Sequence, residues 1–68
     1  MKLLDIVALT EDIPQENLYR GQVGTVVEVL ASDVYEVEFI DDNGQTYAQK
    51  ALKDTRLLLL HHKCIKVA

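Results

Sequence analysis

Between residues 35 and 39 the chain reads Tyr35-Glu36-Val37-Glu38-Phe39, three large side chains alternating with two carboxylates. A period of two belongs to an extended strand, whose successive side chains point to opposite faces, and the charges require one of those faces to meet water. Winding the same run into a helix would scatter Glu36 and Glu38 among the apolar side chains and bury no coherent face. The chain must therefore build a sheet with one dry side. Its length sets the next limit, because 68 residues make one small domain where single domains begin at about 50 residues. A chain of this size buries only about 60% of the surface its unfolded form exposes, which leaves little room for an enclosed catalytic chamber beside a core.

Other segments supply partners for that strand. Asp5-Ile6-Val7-Ala8-Leu9 is a short, largely apolar pentad that ends at Thr10-Glu11-Asp12 and predicts a first strand. Residues 10 to 23 form a long connection, too polar for a strand and interrupted by Pro14, with Ile13, Leu18 and Tyr19 expected to anchor it to the core. Gly24-Thr25-Val26-Val27-Glu28-Val29-Leu30 is rich in β-branched residues and predicts a second strand, with Thr25, Val27 and Val29 on one face and Glu28 on the other. Ala31-Ser32-Asp33 breaks it from the Tyr35 to Phe39 strand. Asp41-Asp42-Asn43-Gly44 is the strongest turn signal, since Asn-Gly readily takes the positive φ of a tight hairpin. A fourth strand is expected to return through Thr46, Tyr47, Ala48 and Gln49.

Leu52-Lys53-Asp54-Thr55-Arg56 suits a single helical turn, and Leu57 to Leu60 then reads as a short buried strand. Five short strands, a long first loop, short hairpins and one helical turn before the last strand predict an all-β fold, a small SH3-like barrel over residues 1 to 60. Closing a sheet on itself lets so short a chain build a core while limiting exposed edges. Residues 61 to 68 form a tail in which Ile65 and Val67 alternate with Lys66, a pattern that could extend the last strand or pair with a second copy.

Seven Lys and Arg against eleven Asp and Glu give a formal charge of −4, which repels polyphosphate at long range and counts against nucleic-acid binding. Charge is unevenly divided: residues 1 to 44 carry two cations against ten carboxylates, whereas residues 45 to 68 carry five cations against Asp54 alone. Mutual neutralisation of the two halves in the fold is the expected result. Cys64 is the single cysteine and cannot close an intramolecular bridge, and Met1-Lys2-Leu3-Leu4-Asp5 is no signal peptide, so a cytoplasmic protein is expected. The longest apolar run has four residues, where a membrane-spanning helix needs about 20.

Few segments suggest chemistry. Gly21-Gln22-Val23-Gly24 marks entry to the second strand, where glycine permits positive φ or a close approach of backbones. The spacing Arg20-Gly21-Gln22-Val23-Gly24-Thr25-Val26-Val27 is similar to the KOW element of ribosomal and transcription proteins, itself largely a device for entering a barrel strand. It is no phosphate loop, since no Gly-Lys-Ser/Thr follows and no helix begins there. His61, His62 and Cys64 are zinc-ligand types, but on a strand only His62 and Cys64 share a face, two ligands where a structural zinc site needs four. Ser32, the lone serine, lies in a turn with no base assigned to it. No enzyme, metal or cofactor is expected. Glu28, Glu36, Glu38, Asp41 and Asp42 should merge into one acidic patch, with Lys50 or Lys53 of the next strand as the nearby cation. Solubility and edge protection are the plain account of such a patch. Docking of a basic partner protein is the functional one.

With these residues laid out, the chain resembles the bacterial family DUF4926, a domain of unknown function. The resemblance runs from Lys2 to about Leu60, through Leu4 to Leu9, Pro14, Leu18, Arg20 to Glu28, Tyr35 to Phe39 and Gly44 to Ala48. It implies an SH3-like barrel and a bacterial, often cyanobacterial, source. Genes of this kind frequently sit beside another small reading frame, as toxin and antitoxin genes do, which implies an antitoxin-like or immunity-like role. Together these readings give a non-catalytic protein-binding module, the expected contacts being Glu11, Asp12, Glu16 and Tyr19 of the long loop with Glu36, Glu38, Asp41 and Asp42 beside them. The rival is a KOW-like nucleic-acid-binding barrel using Arg20, Lys50, Lys53 and Arg56, with Tyr19 or Tyr47 stacking on bases.

Overall fold

The computed structural model describes residues 1 to 60. It contains five strands, β1 (Ile6–Leu9), β2 (Val23–Ala31), β3 (Val34–Ile40), β4 (Thr46–Lys53) and β5 (Leu57–Leu59), with 3-10 turns at Pro14–Glu16 and Asp54–Arg56. All pair antiparallel in one sheet of order β4-β3-β2-β1-β5. The all-β architecture, the long first loop and the helical turn before the last strand are those expected. The outer strands β4 and β5 are not paired with each other, so the sheet is open and its hydrogen bonding does not make it a barrel.

The alternation in β3 behaves as its pattern requires. Tyr35, Val37 and Phe39 are buried, Val37 and Phe39 completely, while Glu36 and Glu38 on the other face stay half-exposed. Around that trio the core gathers Val7 and Leu9 of β1, Val26 of β2, Leu52 of β4 and Leu57. Ile13 and Leu18 of the long loop join them, bridged to each other by backbone hydrogen bonds, so the loop is folded onto the inner face. Tyr19, expected as a third anchor, is instead 45% exposed. The loop is shaped locally by Pro14, whose fixed φ suits the first position of a helical turn, and by Asn17, which ends the turn at φ +58°.

Strand β2 departs from its expected facing. Val26 lies opposite Val37, but Glu28, not Val27, lies opposite Glu36, and a second shift follows between Val29 and Ala31. Each extra residue is a bulge, which bends the strand and increases its twist. The first bulge reverses the parity, so Thr25, opposite Glu38, and Val29, opposite Tyr35, stand on different faces. The buried positions are Gly24 and Val26, not Thr25, Val27 and Val29. Five of the nine residues are Val or Leu, so periodicity alone could not reveal the interruption.

Gly24 has a steric reason to be glycine. A Cβ built there would sit 2.6 Å from Val37 Cγ1 and 2.9 Å from the Glu38 carbonyl oxygen, closer than packed atoms tolerate. At the β3–β4 turn only Gly44 takes positive φ, +77°, while Asn43 does not. Gly44 N–H donates to the Asp41 carbonyl and Asp41 N–H to that of Gln45, the hydrogen bonding of a turn that closes through a glycine bulge. The expected Asn-Gly turn is therefore one residue wider.

The chain's last expected elements also shift. Strand β4 runs on to Lys53, which takes Leu52 and Lys53 out of the helical turn and sets Leu52 opposite Tyr35. In β5 only Leu57 is buried, whereas Leu58 is 57% and Leu59 43% exposed, so the leucine run is not the buried strand expected. Successive residues of a strand point to opposite faces, so Leu58 cannot share the buried side of Leu57. The tail readings, comprising the domain boundary at 60, His61, His62 and Cys64 as ligands, and Ile65 and Val67 as a strand or dimer contact, fall outside the described residues.

Candidate functional site

Strand alternation places the sheet's outer carboxylates. Glu36 of β3 is flanked by Glu28 of β2 on one side and Ala51 of β4 on the other, and Glu38 by Thr25 and Gln49. Glu28 is exposed and the other two half-buried. Glu38 accepts a hydrogen bond from Thr46 Oγ1 at 2.7 Å. Like charges directly opposite across a ladder destabilise it, and among the described residues neither Glu28 nor Glu36 has an ion-pair partner.

The cation expected to relieve this patch goes elsewhere. Lys50 is opposite Val37, which puts it on the inward side, and its Nζ lies 3.0 Å from Glu16 Oε2 in the first 3-10 turn. Arg56 Nε lies 3.2 Å from Glu11 Oε2. These two pairs link the acidic first part of the chain to the basic last part, as neutralisation requires, but they do so over the long loop. Lys53, opposite Val34, has the parity of the outer face and forms no ion pair among the described residues.

The eight expected contact residues therefore divide into groups. Glu36 and Glu38 lie on the outer face. Asp41 and Asp42 are at the β3–β4 turn, where the Asp41 carboxylate accepts the N–H groups of Asn43 and Gln45 at 2.9 and 3.0 Å and so is committed to the turn. Glu11 and Glu16 are paired with Arg56 and Lys50, and Asp12 accepts the Arg20 N–H at 2.9 Å. Tyr19 N–H donates to Gln22 Oε1, and the residue remains exposed. The loop covers the inner face while Glu36 and Glu38 look out from the opposite one, so the loop acids do not lie beside the sheet acids.

Sequence reasoning missed the apolar part of the outer face. Ala8 is opposite both Val23 and Leu58, and the β2–β3 register, continued one step past Gly24 and Phe39, sets Val23 beside Ile40. Ala8 is buried yet stands apart from the core cluster, as expected of a small residue between two larger neighbours on the other face. Val23, Ile40 and Leu58 are 49%, 43% and 57% exposed. The signal was present in Ile40, which shares the parity of Glu38, and in Leu58, which cannot share the side of Leu57.

Among the described residues no cluster of three or more His, Cys, Asp or Glu gathers as for a metal ion. The four cations of the nucleic-acid reading do not form a free stripe, since Lys50 and Arg56 are engaged with carboxylates. No helix of the described residues is long and apolar enough to cross a membrane.

No curated protein and no solved structure matches the chain. A family model does match, that of a domain of unknown function, DUF4926, over residues 3–59 of 68. Those residues span all five strands and both 3-10 turns, and the chain belongs to the DUF4926 family.

Proposed function

We propose that this chain is a non-catalytic protein-interaction module whose partner carries positive charge. The observation behind the reading is the outer face of the sheet, where Glu28 and Glu36 are set against each other with no ion pair among the described residues. The inner face is occupied by the core and the long loop, so the outer one has the chemistry left to recognise another molecule. Element order also supports an SH3-like reading of the fold, with a long first loop, successive hairpins and a 3-10 turn before the last strand. A cytoplasmic setting and an antitoxin-like or immunity-like role belong to the same proposal. The second of these rests on the family resemblance alone.

Tagged full-length chain, held at native abundance in its host, tests the reading by co-purification. A single basic protein, above all the product of an adjacent gene, is expected in stoichiometric amount. Repeated recovery of the chain alone would end the proposal. Retention of single-stranded RNA or DNA on a filter at low salt would favour the KOW-like alternative instead.

A further inference from the structure

The outer face joins two chemistries at a spacing that selects a partner. Across the strands runs an apolar row of Leu58, Ala8, Val23 and Ile40, and from Ile40 the outer positions of β3 continue as Glu38 and Glu36. Strand residues of one face repeat at about 6.8 Å. An extended segment lying along β3 on this face repeats its own side chains at the same interval, so alternate residues can meet Ile40, Glu38 and Glu36 in turn. Ala51 and Gln49, which flank the two glutamates on the β4 side, bring no charge of their own. Glu28 adds a third carboxylate beside Glu36, and Lys53 at the far end is the face's cation among the described strand residues.

We infer that the outer face docks an extended segment of a partner protein in which an aliphatic residue is followed, two and four positions on, by lysine or arginine. The inference rests on the protein-interaction reading above and adds the surface and the partner's chemistry. Charge decides the choice of occupant. A second copy of the chain would bring the same carboxylates, whereas a basic segment neutralises Glu28 and Glu36 and covers Val23 and Ile40 in one contact.

The test uses isotope-labelled full-length chain and a synthetic peptide repeating Ile-Thr-Lys-Thr-Lys, with Ser in place of each Ile in a control of equal charge. Amide shifts are expected in Val23 to Glu28 and Glu36 to Ile40, with the serine peptide binding at least about fivefold more weakly. Glu28→Gln with Glu36→Gln should weaken the first peptide roughly tenfold, as two exposed charge contacts at the upper part of their usual range would. Glu11→Gln with Glu16→Gln should leave it unchanged.

Equal binding of the two peptides, shifts confined to the long loop, or no binding would overturn the inference. So would a dimer in sedimentation, or nuclear Overhauser contacts from residues 61 to 68 to Val23 or Ile40 in the free chain. Capture of a host partner that Glu28→Gln with Glu36→Gln leaves undiminished would sink this surface while sparing the interaction reading. Absence of any host partner would sink that reading itself.

Discussion

At the scale of single residues, Gly24 and Gly21 separate two reasons for glycine. Gly21 has φ +91° with open space around its missing side chain, whereas Gly24 has ordinary φ but a neighbour at 2.6 Å. Gly21→Ala should therefore cost roughly 1 to 2 kcal/mol of backbone strain. Gly24→Ala has to move Val37, which is fully buried, and the β3 backbone at Glu38. Overpacking of this kind costs about 1 to 3 kcal/mol, and little nearby can yield, so the upper end is expected. Urea melts of both variants check the order, and a milder effect at Gly24 would show that β2 and β3 lie further apart. Phe39 bears the heaviest load, being fully buried with its ring 6.3 Å from that of Tyr47. Phe39→Ala should cost about 3 to 5 kcal/mol, against a total stability on the order of 3 to 10 kcal/mol for a chain of this length. Circular dichroism should find that variant largely unfolded or melting far below the parent.

At the scale of elements, the long loop is held in two ways that differ in strength. Lys50–Glu16 and Arg56–Glu11 are ion pairs whose side chains are about 40 to 50% exposed, a setting in which such pairs contribute about 0.2 to 1 kcal/mol and weaken with salt. Leu18 is fully buried, and Leu18→Ala should cost about 2 to 5 kcal/mol. Burial holds the loop and the ions trim its position. Lys50→Ala is expected to speed amide exchange within residues 10 to 22 while barely changing the melt, and Leu18→Ala to lower the melt itself. A salt-dependent melt in the parent would reverse that ranking. On the other face, Glu28→Lys turns a like-charge cross-strand pair into an opposite one and should stabilise by about 0.2 to 1 kcal/mol. The same elements show what the sequence could reveal. Strand β3 was legible because charge and bulk alternate without a break, and Ile13 and Leu18 because an unanchored loop of that length is rare. Strand β2 was legible in extent but not in facing, since a bulge at Val27 leaves no mark among consecutive valines. The site was legible only in its charges: Glu36 and Glu38 could be placed outward from alternation, whereas the row through Ala8, Val23 and Leu58 depends on which strands become neighbours.

At the scale of the whole molecule, seven Lys and Arg against eleven Asp and Glu give a formal charge of −4. Lys50 and Arg56 are engaged by loop carboxylates, and the outer face sets Glu28, Glu36 and Glu38 against Lys53, which makes it negative toward an approaching molecule. A field of that sign acts before contact, and the apolar row acts only after it, so the two should appear in different rate constants. Association with the lysine peptide should slow by about tenfold between 0.01 and 0.15 M salt, as the screening length shrinks from about 30 to 8 Å. Dissociation should scarcely respond to salt over that range, but Ile40→Ser should quicken it several-fold while leaving association alone, because lost apolar contact is felt once the complex has formed. Stopped-flow traces at several salt concentrations separate the two constants. If salt acted mainly on dissociation, direct pairing at the glutamates would outweigh their long-range pull, and the acidic face would be a clasp before it is a guide.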